Sequence, residues 1–265
     1  MRNIIYGAGA VGGSIGGCLF EAGHDVLLIA RGPHLEAIQR DGLTVRTPGG
    51  ATTMRVPAVA HPSEIEWGSE DLVMLTVKSQ HTAAALDDLA MAAGDIRVVC
   101  AQTGVANERM ALRRFPRVYA MMVMLPATHL TPGEVVMNAS PVGGLLDIGC
   151  YPTGADSACE QIARDLSGAG LDARVERKVM RLKYGKLLEN LANPVQALCG
   201  LEAAAGELVR AVRAEGTAVL RAAGIDFATG SEMEQRRAQA AMARQKRPPG
   251  SYTVEELMAR VSGAV

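Results

Sequence analysis

The sequence predicts an α/β fold: a mostly parallel sheet over the first two thirds of the chain, followed by an all-helical C-terminal region. Three observations predict it. Short apolar runs alternate with helix-like segments from Asn3 to Val175, and apolar runs flanked by helices indicate a parallel sheet covered on both faces. A glycine cluster separates the first strand from the first helix. From Lys178 onward strand signals vanish, and long stretches rich in Ala, Leu, Arg and Glu take over.

Each element has a local reason. Asn3 to Tyr6 is a short apolar strand, and Val11 to Ala22 reads as a helix closed by Gly23 at the C′ position. Asp25 to Ala30 is a Val-, Leu- and Ile-rich buried strand, and His34 to Arg40 is helical up to Asp41-Gly42. Leu43 to Val59 reads as a hairpin around Pro48-Gly49-Gly50. Asp71 to Val77 is a continuous apolar strand, Thr82 to Ala92 a helix, and Arg97 to Ala101 a further strand. Arg117 to Leu125 and Val142 to Ile148 are strand-like. Asp156 to Ala169 is a helix ended by Gly170, and Asp172 to Val175 a last strand. The domain boundary is placed near Glu176, giving a nucleotide-type domain over 1–176 and a helical domain over 177–265. Arg247-Pro248-Pro249-Gly250 breaks the last helical stretch.

Composition excludes several classes. With 265 residues the chain is long enough for about two domains. Hydrophobic residues make up 48% and charged residues 21%, which argues against disorder. The net charge of -1 provides no field to gather nucleic acid or an anionic membrane. One Trp, five Tyr and three Phe disfavour a base-stacking surface. The five cysteines are an odd number without a C-x-x-C pair, so neither a disulfide framework nor a structural zinc site is expected, and a reducing cytoplasm fits best. No metal is expected. The uncharged run from Ile4 to Phe20 faintly resembles a signal peptide or a membrane segment. It contains six glycines, however, and is shorter than the roughly 20 residues a spanning helix needs.

That run fits a strand, a glycine turn and a helix. Gly7-Ala8-Gly9-Ala10-Val11-Gly12 matches G-x-G-x-x-G in the context the motif requires, directly after a strand and opening a helix. Gly7 permits the tight turn, Gly9 lets the backbone approach a pyrophosphate, and Gly12 allows close helix–strand packing. The helix N-terminus offers N–H donors and positive dipole to the phosphates. This is a Rossmann-type dinucleotide site. The second strand ends at Arg31, where an NAD-preferring site would carry an acid for the ribose 2′-hydroxyl. A guanidinium pairs with phosphate, so Arg31 points to NADP.

Ligands in such sheets lie beyond the carboxyl ends of the strands. Lys78 and Ser79 follow one strand and Gln102-Thr103-Gly104 another, both placed to touch cofactor or substrate. His129 is a minor polar candidate, and the Met121-Met122-Val123-Met124 run is core packing. In the helical region, Lys186, Asn190 and Asn193 share one face at about 100° per residue, opposite Leu187, Leu188, Leu191, Val195 and Leu198. Two asparagines on one stripe serve no helical purpose, and Asn193-Pro194 interrupts the helix. If this face meets the cleft, Lys186 is a candidate general acid, with a pKa lowered by partial desolvation.

Together these residues resemble the ketopantoate reductase (2-dehydropantoate 2-reductase) family. The resemblance is carried by Gly7 to Gly12, Arg31, Val77-Lys78-Ser79, Gln102-Thr103-Gly104-Val105-Ala106-Asn107-Glu108 and the Lys186/Asn190/Asn193-Pro194 segment, and it covers nearly the whole chain. It implies NADPH-dependent reduction of a 2-keto acid, ketopantoate by default, in pantothenate biosynthesis. It implies Lys186 as general acid and Lys78 as a contact to cofactor and substrate. Asn190, Asn193 and Ser251 become substrate ligands, and Gly7, Ala8, Gly9, Ala10, Val11, Gly12, Arg31, Lys78 and Thr103 cofactor ligands. Its partners are then a small 2-keto acid, with no nucleic acid and no membrane, and with room for a homodimer.

Three departures stand out. Thr103-Gly104 replaces the family's Asn-Gly. Asn190 and Asn193 are three residues apart rather than four. The run from Leu257 to Val265 resembles the approach to the family's Glu-x-Asp-Tyr-x-Asn-Gly segment and then stops, so a C-terminally truncated member is expected. Two other readings stay open: a non-catalytic NADP-binding relative, and a dehydrogenase of another carbonyl or imine on the same scaffold.

Overall fold

Alternation between apolar strands and helices gives, in the computed structural model, a doubly covered sheet; the described residues are 1–139, 143–200 and 206–245. In chain order the elements begin β1 (Arg2–Tyr6), α1 (Ala10–Glu21), β2 (Val26–Ile29), α2 (Gly32–Asp41), β3 (Leu43–Thr47), β4 (Gly50–Met54) and β5 (Ala58–Val59). They continue with β6 (Asp71–Leu75), α3 (Thr82–Ala92), β7 (Arg97–Cys100), α4 (Asn107–Leu112), β8 (Arg117–Met124), β9 (Ala127–Thr128), β10 (Glu134–Met137) and β11 (Leu145–Cys150). Then come α5 (Ser157–Gly168), α6 (Val179–Asn190), α7 (Ala192–Cys199), α8 (Glu207–Ala222) and α9 (Gly230–Gln245).

Seven strands form the main sheet in the order β11-β8-β7-β6-β1-β2-β5. All pairings are parallel except β11 against β8. The period of two divides the core between the faces. Ile4, Val73, Leu75, Val98 and Cys100 meet Leu86 and Leu89 of α3 and Ala111 of α4. Ile5, Leu72, Met74 and Val99 meet Ile15 and Leu19 of α1 and Ile162 and Leu166 of α5. The predicted mostly parallel sheet and helical C-terminal region are therefore both present.

The predicted hairpin exists as β3–β4, and it belongs to a second, four-stranded sheet ordered β4-β3-β10-β9. The sequence reading missed β9 and β10. They are short, Pro132-Gly133 lies between them, and β10 is held by a parallel partner, β3, far away in sequence. The segment expected as a last strand, Asp172–Val175, makes only isolated bridges to Leu145 and Ile148 at the edge of β11. Its backbone is still paired: Leu146 N–H donates to the Asp172 carbonyl at 2.8 Å and Ile148 N–H to the Arg174 carbonyl at 2.8 Å.

The helical region docks through apolar and ionic contacts. Val179 of α6 is fully buried against Ala120 and Met122 of β8. On α9, Arg236 donates to both Asp147 oxygens at 2.7 and 2.6 Å and to Asp172 at 2.8 Å. Burial pushes the Asp147 carboxyl up, against the pull of that guanidinium. The helix break sits earlier than Asn193-Pro194. It falls at Leu191, which ends α6 and precedes α7, and Pro194 is then the third residue of α7, where no intrahelical N–H is required. The opposing apolar face is also only partly realised, since Val195 is buried but Leu198 is 86% exposed.

Candidate functional site

The glycine turn connects β1 to α1 as its spacing requires. Gly7 has φ +108, a conformation L side chains rarely adopt. A Cβ on Gly12 would lie 2.1 Å from the Gly7 carbonyl, so only glycine lets the helix close onto the turn. Thr76 Oγ1, just after β6, braces the turn by donating to the Tyr6 and Gly7 carbonyls at 2.9 and 2.8 Å. A Cβ on Gly9 would meet nothing within 4 Å, so the turn is open on that side. Gly9 is the N-cap of α1 and provides no side-chain cap, which leaves first-turn N–H groups for an anion. Ala8, Ala10 and Val11 complete the turn. Arg31 caps α2 at the end of β2, exposed and without a hydrogen bond or ion pair to another described residue.

Beyond the carboxyl ends of β6 and β7 lie Lys78 and Thr103, both exposed. Between them Gln102 is buried, and its Nε2 donates to the Val77 carbonyl at 2.6 Å and to Thr82 Oγ1 at 2.8 Å. The Thr103 carbonyl accepts from Asn107 Nδ2 at 3.1 Å and from Ser79 Oγ at 3.3 Å. These bonds tie the two strand-end loops into one floor. Facing it is α6. Gln102, Thr103, Gly104, Met122, Val123, Lys183 and Lys186 line a crevice there. Lys186 is partly exposed and pairs with Glu189 at 3.5 Å.

The residue the sequence reading missed is Lys183. It is 3% exposed, its Nζ donates to the Gln102 carbonyl at 2.9 Å, and it is ion-paired with the fully buried carboxylate of Glu108. The signal was available: Lys183 precedes Lys186 by one helical turn, so both lie toward the same stripe. Two buried acceptors at this floor, Gln102 Oε1 and Glu108 Oε2, have no hydrogen-bond partner among the described residues.

The remaining candidates divide. Asn190, the last residue of α6, is half-buried, and Asn193, in α7, is exposed. Neither lines the crevice formed by Lys183, Lys186 and the strand-end loops. Ser251 lies outside the described residues. His129 packs against His34 with ring centroids 4.1 Å apart and planes tilted by 47°, and its Nδ1 bonds the Glu134 carbonyl at 2.9 Å, which marks it as structural. Cys150, Asp156 and Cys159 converge near the start of α5, with the two sulfurs 3.8 Å apart. The Asp156 carboxylate is already engaged there, capping Cys159 N–H at 3.0 Å and accepting from the Tyr119 hydroxyl at 2.9 Å. A cavity of about 590 Å³ opens among α6, α8 and α9, with Arg213, Arg221 and Arg237 on its wall. No helix among the described residues is long and apolar enough to cross a membrane.

Comparison with known proteins gives three findings. Residues 4–153 match the family described as ketopantoate reductase PanE/ApbA. The 2-dehydropantoate 2-reductase of Pyrococcus horikoshii is 33% identical over 199 residues, covering 75% of this chain and 64% of that protein. The chain thus spans less than two thirds of the length of that curated relative. Among solved structures, a PanE/ApbA family ketopantoate reductase from Ralstonia eutropha JMP134 superposes with a TM-score of 0.77 at 30% identity, over 98% of this chain and 86% of that one. A D-mandelate dehydrogenase in ternary complex with NADH and anilino(oxo)acetate superposes with a TM-score of 0.78 at 25% identity, over 89% of this chain and 78% of that one.

Proposed function

The chain belongs to the ketopantoate reductase (PanE/ApbA) family, and from that premise we propose that it is an NADPH-dependent reductase of a 2-keto acid, converting ketopantoate to pantoate. The observation that carries the reading is the approach of Lys186 on α6 to the Gln102–Gly104 loop at the end of β7. A cationic, partly exposed side chain faces the sheet edge at which Rossmann ligands bind.

The residues fit a dinucleotide. The loop is open at Gly9, the N-cap of α1 has no side-chain cap, and Arg31 is an exposed cation after β2 with no hydrogen bond or ion pair to another described residue. NADPH, when bound, supplies the hydride. The glycine loop and the start of α1 hold its pyrophosphate, and Arg31 pairs with the 2′-phosphate. Lys78 and Thr103, exposed on the two tied loops, bind at the nicotinamide and substrate end. Lys186 donates to the ketone oxygen, stabilises the alkoxide that develops there and gives it a proton. Glu189 lies 3.5 Å from the Lys186 Nζ, one helical turn along α6. Lys183 is instead held in the interior by the Gln102 carbonyl and by its ion pair with Glu108, whereas Lys186 is the partly exposed lysine. The family resemblance also assigns Asn190, Asn193 and Ser251 to the substrate; the two asparagines stand on the α6–α7 segment outside the Lys186 crevice, and Ser251 lies outside the described residues. The domains are assigned as 1–176 and 177–265.

Mixing the protein with NADPH and ketopantoate should consume NADPH absorbance and release pantoate. The absence of turnover with ketopantoate and with a panel of other branched 2-keto acids would sink the reading. The panel includes phenylglyoxylate, because the D-mandelate dehydrogenase fits this fold equally well.

A further inference from the structure

His34, the third residue of α2, touches the glycine turn from a different element. Its Nε2 lies 2.7 Å from the Ala8 carbonyl, and its Nδ1 accepts from the Gly133 N–H at 2.9 Å. A backbone N–H can only donate, so Nδ1 carries the lone pair. Nε2 therefore carries the proton, and the Ala8 carbonyl accepts it. The ring is neutral with a fixed tautomer, and His129 covers it at 4.1 Å. Burial also holds its pKa below the ordinary histidine value, in the same direction.

We propose that His34 is the positioning residue of the dinucleotide loop: bonded to Ala8 and braced by Gly133, it fixes the Ala8–Gly9 peptide so that Gly9 N–H is presented to a pyrophosphate. The inference rests on the dinucleotide reading of that loop. The peptide is planar and trans, so its carbonyl and its N–H point in opposite directions. Holding the Ala8 carbonyl on His34 aims Gly9 N–H at the side of the turn away from the ring. The neighbouring peptide is also held, since Gly7 and Ala8 N–H both donate to the Ile29 carbonyl, at 3.0 and 3.2 Å. The Ala8–Gly9 unit depends on His34 because a flip would change only the Ala8 ψ and the Gly9 φ. Glycine tolerates either sign of φ. The same glycine that lets a phosphate come close would thus leave the peptide loose. The brace comes from the β9–β10 turn, so the second sheet contributes to holding the cofactor loop.

The test uses the full chain and three ligands: NADPH, NADH and 2′-phosphoadenosine, which carries the 2′-phosphate but no pyrophosphate. His34→Phe keeps a ring against His129 and loses both hydrogen bonds. We expect its NADPH affinity to fall by about tenfold, the upper range for one lost neutral hydrogen bond. NADH should weaken by the same factor and 2′-phosphoadenosine should be unchanged. The KM for NADPH should rise while kcat at saturation stays within twofold. His34→Gln, which can donate and accept, should recover most of the loss. His34→Asn, too short to span both partners, should behave like His34→Phe and serves if that variant does not fold. Equal NADPH affinity in wild type and folded variants would overturn the inference alone. A uniform loss for all three ligands would overturn it too, as a general structural effect. A wild-type protein that binds no dinucleotide would overturn the inference together with the cofactor reading.

Discussion

Lys183 and Glu108 form a buried ion pair between α6 and the start of α4, with both side chains almost fully removed from solvent. The pair joins the helical region to the loop floor of the sheet, because Lys183 also holds the Gln102 carbonyl. Removing one partner leaves an uncompensated charge in a poorly solvated site. Lys183→Met and Glu108→Leu should each destabilise the protein by about 3–5 kcal/mol, whereas the double variant should cost much less than the sum. Denaturant unfolding of all three variants measures this; additive losses would show that the two residues do not interact.

Lys186 should behave in the opposite way. It is partly exposed and its link to Glu189 is a surface pair, worth little to stability. Lys186→Ala should keep the wild-type unfolding midpoint and lose about 10²–10⁴-fold in kcat for keto acid reduction, the range for a general acid. A variant with kcat within a factor of a few of wild type would move the proton donor elsewhere.

Arg31 should set the choice between cofactors. A hydrogen bond to a charged group is worth about 1.5–3 kcal/mol. Arg31→Ala should therefore weaken NADPH by roughly tenfold to a hundredfold or more and change NADH affinity little. The ratio of the two dissociation constants is the readout, and an unchanged ratio would remove Arg31 from the site.

Glu232 predicts a pH dependence of stability. Its carboxyl is held down to about 2, first by the Thr229 N–H at 2.7 Å and then by Arg181 and the Thr229 hydroxyl. A folded-state pKa below the unfolded one stabilises the fold at pH values above the ordinary carboxyl range. That stabilisation is lost progressively as pH falls from about 4.5 towards about 2. Glu232→Gln should flatten unfolding free energy against pH across that window. A variant that retains the wild-type slope would show that other carboxylates carry it.

Much of the fold was legible because it depends on local pattern. Apolar runs of four to six residues, the glycine turn and helix stops at Gly23, Gly42 and Gly170 all report short-range sterics. Strands β9 and β10 were not legible, because their pairing to each other and to β3 is a tertiary event on very short segments. The helix break moved to Leu191 because proline is tolerated in the first turn of a new helix.

In the proposed site, residue order alone marked the glycine turn, Arg31, the two strand-end loops and the helix that carries Lys186 as candidates. Those features follow from the βαβ unit and from which end of a parallel strand faces a ligand. The tertiary structure decided which neighbours act on them. Lys183 reads as one more helical lysine until Glu108, 75 positions away, neutralises it in the interior. His34 reads as an ordinary first-turn histidine until the Ala8 carbonyl and the Gly133 N–H, 26 and 99 positions away, fix its tautomer. Motif spacing marks the candidate groups for a ligand, whereas the groups that hold them in place are chosen by long-range packing, where charge burial and hydrogen-bond geometry are settled together.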